Sequence, residues 1–144
     1  MADFRFNGVD GLIADFDKLA KIDDETKYSI LEAGAEVVKL AQQAVIRRLG
    51  LMDPVAPQLI NSLKIERKKG RGGVYVQLLP KGKRKKKNGE SAKTTNSQVG
   101  YYLEHGTPRI KAKHWMETAN EESAAACTEA EQEAWNKHLD DLNL

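Results

Sequence analysis

A single cysteine, Cys127, stands in 144 residues, so the chain can form no internal disulfide. A lone thiol suits a reducing cytoplasm and offers no Cys-x-x-Cys pair for a structural zinc. Cys127 lies in an alanine-rich stretch and reads as a small packed side chain rather than a nucleophile. No run of ~18 apolar residues occurs, which excludes an ordinary membrane-spanning helix. The opening Met1-Ala2-Asp3-Phe4-Arg5 has no basic leader followed by an apolar core, so no secretory signal is read there. Phosphate-binding loops, dinucleotide fingerprints and nucleophile elbows are all missing. The three histidines, His105, His114 and His138, are not spaced as metal ligands, and Glu104 beside His105 would point elsewhere on a helix. These absences lead to the expectation of no catalytic residues, no metal, no cofactor and no small-molecule substrate.

What is present is charge, unevenly placed. The chain is 31% charged and 40% hydrophobic, as befits one globular domain spanning residues 1–144. Its net charge is only +2, but residues 64–93 hold 12 Lys/Arg against Glu66 and Glu90, giving 12 − 2 = +10. Residues 117–144 hold eight Asp/Glu against Lys137, giving 1 − 8 = −7. Such asymmetry points to a polyanion partner or to head-to-tail contact between copies, and it also fits two solvated faces of opposite sign.

Phe4-Arg5-Phe6 alternates before Asn7-Gly8, predicting a short strand and turn. Asp10 then caps a helix with Leu12, Ile13, Phe16, Leu19 and Ala20 on one side. Asp23 or Asp24 caps a longer helix that ends at Arg47-Arg48 before Gly50, with charges suited to the helix dipole. Its stripe of Tyr28, Leu31, Ala35, Val38, Val45 and Leu49 is flanked by Ile30, Val37, Ala41 and Ala44, which makes it the spine of the core. Gly34 within it suggests a close helix crossing. Pro54 and Pro57 break the chain, and Gln58 to Ser62 makes one helical turn. Leu63–Glu66 and Val74–Leu78 alternate with period two around Gly70, Gly72 and Gly73, predicting an antiparallel hairpin with Leu63, Ile65, Val74, Val76 and Leu78 inward.

From Lys81 to Ser97 there is no large apolar side chain, and the stretch opens Lys81-Gly82-Lys83-Arg84-Lys85-Lys86-Lys87. Repulsion without burial predicts a mobile basic loop over about 81–97. A C-terminal helix follows from about His114 to Leu142, with a seam of Ala119, Ala126, Cys127, Ala130 and Ala134 between Trp115 and Trp135. The fold class is therefore α+β: a small antiparallel sheet against a long central helix and a C-terminal helix, with an extended basic loop.

Tyr101-Tyr102-Leu103-Glu104-His105-Gly106-Thr107-Pro108-Arg109, followed by Ala112-Lys113-His114-Trp115-Met116, is the most distinctive phrase. Pro108 ends whatever Tyr101 to His105 forms. The phrase resembles the Glu-aromatic-Gly-Thr and Ala-x-Pro-Phe pattern of the tail-component family of long-tailed phages and prophages. Glu104, Gly106, Thr107, Ala112 and Ala119 match, and Trp115 stands at the aromatic place. His105 replaces an aromatic residue, Lys111 and His114 stand where prolines are common, and Ala56-Pro57-Gln58-Leu59 occupies the place of a Thr-Gly-x-Leu phrase. Phe6 to Leu12 is similar to the family's opening strand, glycine and first helix, and Leu59 to Leu63 to the segment before its hairpin.

The resemblance implies a head–tail joining or tail-completion protein of the virion neck, assembled in the bacterial host cytoplasm. Its implied partners are copies of itself in a ring, six-fold by the family pattern, and other neck, tail-tube or head-completion proteins, with packaged DNA as a further contact and no membrane. The cationic Lys81, Lys83, Arg84, Lys85, Lys86 and Lys87 then become the candidate subunit or partner interface, complementary to the acidic C-terminal helix. The alternative is a sequence-independent DNA-binding module using that same run, through phosphate contacts alone because no aromatic side chain interleaves with it.

Overall fold

The computed structural model describes residues 21–143 together with Lys18. The strand expected at Phe4–Phe6 and the helix expected after Asp10 lie outside the described residues.

Helix α1, Asp24–Arg48, begins where its cap requires: the Asp23 carboxylate accepts a hydrogen bond from the Thr26 amide at 2.8 Å. That contact holds the Asp23 carboxyl below its usual range. The helix closes on Arg47-Arg48, and Gly50, at φ +66°, turns the chain. Helix α2 runs from Val55 to Ser62, longer than the single turn expected at Gln58. Strands β1 (Leu63–Gly70) and β2 (Gly73–Pro80) form the expected antiparallel hairpin, with Leu63 opposite Pro80 and Gly70 opposite Gly73. Beyond it lie β3 (Lys83–Lys85), β4 (Ser91–Thr95), helix α3 (Asn96–His105) and helix α4 (Trp115–Asp141). The described residues are thus an α+β arrangement of four helices and two separate two-stranded antiparallel sheets.

Helices α1 and α4 pack antiparallel. Arg48 at one end of α1 binds Glu122, Gly34 lies under Glu131, and Thr26 and Ser29 at the other end neighbour Lys137 and His138. Gly34 is buried and a Cβ there would overlap the Glu131 side chain, so the glycine serves the close crossing the sequence suggested. The core gathers Val45 and Ile46 of α1, Leu59 of α2, Leu63 of β1, Leu103 of α3, and Trp115 and Ala119 of α4. Each large side chain fully buried there contributes about 1.5–3 kcal/mol. On the sheet side, Val74, Val76 and Leu78 of β2 line an open apolar groove with Leu31, Ala35 and Val38 of α1 and Cys127 of α4. Burial, and then the nearby Glu131 carboxylate, push the Cys127 thiol above its usual range.

Two expectations need correction. Residues 81–97 are not a featureless loop: they form the β3–β4 hairpin and the first two residues of α3. The reason is polar rather than apolar, since backbone and side-chain hydrogen bonds from distant elements replace the missing burial, as described below. Along α4 the buried line is Trp115, Ala119, Ser123 and Leu139, while Ala126 is exposed. Ser123 enters that line because its hydroxyl donates to the Ala119 carbonyl at 2.6 Å, so a polar side chain is buried without an orphan donor.

Candidate functional site

The distinctive phrase forms one connected piece of architecture. Thr95 and Gln98 open α3 with a reciprocal capping box, the Thr95 hydroxyl accepting from the Gln98 amide and the Gln98 side chain accepting from the Thr95 amide. The signal for this start is the Thr95-x-x-Gln98 spacing of a capping box. One turn later Gly100 lies against the rings below: a Cβ there would come within 3.2 Å of Trp115 Cζ2 and 3.0 Å of Pro80 Cγ. The indole Nε1 of Trp115 donates to the Gly100 carbonyl at 2.9 Å, so this fully buried tryptophan is both packed and satisfied.

Helix α3 ends at Gly106, whose φ of +79° favours glycine and whose amide donates to the Tyr102 carbonyl at 2.8 Å. A Cβ at this position would lie 2.8 Å from the Ala112 nitrogen and 3.0 Å from the Ile110 carbonyl. The space a side chain needs is therefore filled by the returning backbone. Thr107 organises that return: its hydroxyl accepts from the amides of Arg109 at 3.2 Å and Ile110 at 3.0 Å. The Lys113 amide then donates to the Leu103 carbonyl at 2.6 Å, and His114, left-handed at φ +47°, leads into α4.

Glu104 closes the structure. It is buried at 8% relative exposure, and its carboxylate accepts from the amides of Met116 at 2.6 Å and Glu117 at 3.2 Å. Glu104, from the end of α3, thus caps α4 and meets the positive end of its dipole. Glu104, Gly106, Thr107, Ala112 and Trp115 all belong to this latch. One oxygen or nitrogen from each of Glu104, His114 and Glu117 comes within 4.8 Å of the others. The Glu104 oxygens are already engaged by backbone amides there, and a helix N-terminus disfavours a cation.

The cationic segment divides in two. On β1, Arg67 binds Glu25 at 2.6 Å and also Glu32, and Lys69 binds Asp24 at 2.9 Å. Glu66 lies 3.2 Å from Lys68 and 3.8 Å from Lys81. Hydrogen bonds to Glu25 and Glu32 raise Arg67, that to Asp24 raises Lys69, and Lys69 and Lys68 hold Asp24 and Glu66 below the usual carboxylate range. The Tyr28 hydroxyl donates to the Lys68 carbonyl at 2.9 Å, and the Arg67 guanidinium sits 5.2 Å from the Tyr28 ring centre. These cations clamp the first hairpin to α1.

The β3–β4 hairpin differs. Its base is held by Lys81 donating to the Ser62 carbonyl at 2.9 Å and by Asn96, whose backbone and side-chain amides donate to Gly82 and Lys81 at 3.0 Å each. The Gln58 amide grips β3 twice, donating to the Lys85 carbonyl at 2.8 Å and accepting from the Lys85 amide at 3.2 Å. Arg84 turns inward and donates to the Thr94 hydroxyl at 2.9 Å. The Lys86 backbone amide donates to the Glu90 carbonyl at 2.7 Å and closes the tip, with Gly89 at φ +87° between them. Lys83, Lys85, Lys86, Lys87 and Lys93 are exposed and make no ion pair among the described residues. Of the six cations expected to act together, the Lys81 ammonium faces Glu66 of β1, Arg84 bonds Thr94 within the hairpin, and Lys83, Lys85, Lys86 and Lys87 are exposed.

No family model, no curated protein and no solved structure matches the chain. No helix among the described residues is long and apolar enough to cross a membrane.

Proposed function

We propose that this protein is a structural component of a virus particle, a ring subunit at the neck of a long-tailed phage or prophage that joins tail to head or completes the tail end. The observation that carries the reading is the convergence of Glu104, Gly106, Thr107, Ala112 and Trp115, the residues behind the family resemblance, on the single latch between α3 and α4. A motif that builds architecture fits a protein that works by shape and contact, without turnover. The latch fixes α4 against the core, and the hydrogen-bonded β3–β4 hairpin stands on the same frame through Gln58 and Asn96. Ring formation in the host cytoplasm, followed by incorporation into the virion, is the role this frame serves.

Electron microscopy tests it. The purified protein is expected to form rings, and particles lacking it are expected to accumulate as unjoined heads and tails. A protein that neither forms rings nor affects joining refutes the role. A monomer that retains random duplex DNA with steep salt dependence supports the DNA-binding alternative, which the exposed lysines of β3 and β4 favour.

A further inference from the structure

The exposed acidic pair Glu129 and Glu133 lies about halfway along α1, away from the end near which the β3–β4 hairpin is anchored. The β3–β4 hairpin is anchored on Gln58 in α2, which follows the C-terminal end of α1. The middle of the acidic helix, at Glu131, lies over Gly34 in the first half of α1. From Gly34 to the end of α1 is about 21 Å at 1.5 Å per residue. Glu129 and Glu133 stand two residues to either side of Glu131, about 200° around the helix, and so point away from α1. Both are exposed and make no ion pair among the described residues.

Lys83 and Lys85 are the matching pair. The pairing with β4 shifts register between them, and both are exposed on either side of the half-buried Arg84, which donates to Thr94; two residues of strand separate them by about 7 Å. Glu129 and Glu133, four residues apart on α4, are about 6 Å apart along the axis. A gripped strand and a helix face thus present opposite charges at nearly the same spacing. The Gln58 clamp means that little freedom of the strand remains to be lost on docking.

We propose that the Lys83–Lys85 face of one copy docks on the Glu129–Glu133 face of α4 in the next copy, the head-to-tail contact that propagates the ring. The inference rests on the ring reading and assigns its interface. Unlike contact with DNA, it uses both charge centres, and a heterologous contact of this kind closes under rotation.

Charge reversal tests the pairing. Lys83→Glu with Lys85→Glu, and separately Glu129→Lys with Glu133→Lys, alter exposed side chains only, and circular dichroism verifies that the fold is kept. Sedimentation equilibrium of the full chain is expected to show association about tenfold weaker or more in each variant at low salt. Mixing the two variants, or combining all four substitutions in one chain, is expected to restore association close to the parent's. Variants that associate as the parent does, or that show no mutual rescue, overturn the docking; rings still visible by microscopy would leave the neck role standing. Loss of duplex DNA retention in the lysine variant with unchanged self-association overturns it in favour of DNA as the hairpin's partner. A parent that stays monomeric at every concentration overturns the docking and the ring together.

Discussion

Replacing Glu104 with alanine is the most direct test of the latch. Glu104 is buried and its carboxylate accepts two amides of the first turn of α4, at 2.6 Å from Met116 and 3.2 Å from Glu117. Losing a cap costs about 0.5–2 kcal/mol, and a buried amide left without an acceptor costs about 1–3 kcal/mol. The site is close to Trp115, so water cannot restore both bonds without opening the packing there. Together these give a loss of about 2–4 kcal/mol. Unfolding entropy of about 2.1 cal/mol/K per residue over this chain amounts to ~0.3 kcal/mol/K, so the melting temperature is expected to fall by about 7–13 °C. Glu104→Gln keeps the size and one acceptor oxygen but brings two donors toward backbone donors, and is expected to lose about half as much. Thermal and urea unfolding followed by circular dichroism provide the measurement. If Glu104→Ala melts within about 2 °C of the parent, the carboxylate is not the cap of α4 and the account of the motif fails.

Gly106→Val places a side chain at φ +79°, toward the Ala112 nitrogen, and is expected to destabilise by at least the 1–3 kcal/mol of ordinary backbone strain, roughly, as read by the same unfolding assays. Gln58→Ala removes both bonds to Lys85 and is expected to speed amide exchange of the hairpin while leaving that of α1 and α4 unchanged; unchanged exchange at Lys85 would show that the clamp is dispensable. Asp23, Asp24 and Glu66 are held below the usual carboxylate range by Thr26, Lys69 and Lys68 respectively. The unfolded chain therefore binds more protons in mild acid, so their contribution is complete above pH ~5.5, about a unit above the ordinary glutamate value, and is lost as pH falls through the lower folded values, which urea titrations between neutral and acid pH can follow. Cys127, its thiol raised by burial and by Glu131, is expected to react more slowly with iodoacetamide in the folded protein than in urea; equal rates would contradict that environment.

Local signals in the sequence were sufficient for the long elements. The Asp23 cap, the closing arginines and Gly50 delimit α1 because helix ends are decided by groups within a turn of them. Alternation around Gly70 to Gly73 likewise produced the β1–β2 hairpin, since a strand's period and its turn are both local. What the sequence did not disclose depends on partners far along the chain. Lys81 to Ser97 lacks apolar side chains and reads as loop, yet Ser62 and Gln58 hold its backbone from across the fold, and Asn96 ties its two ends together. The acidic and basic totals were countable, but only the packing of β1 on α1 decided that Arg67 and Lys69 are spent within the molecule while Lys83 and Lys85 are left outside. Glu104 matched a motif position with no stated role; its role as a cap exists because the turn at Gly106 brings the start of α4 back to it. Charge and periodicity are properties of a chain, whereas which charges meet, and which amides need an acceptor, are properties of its folded geometry.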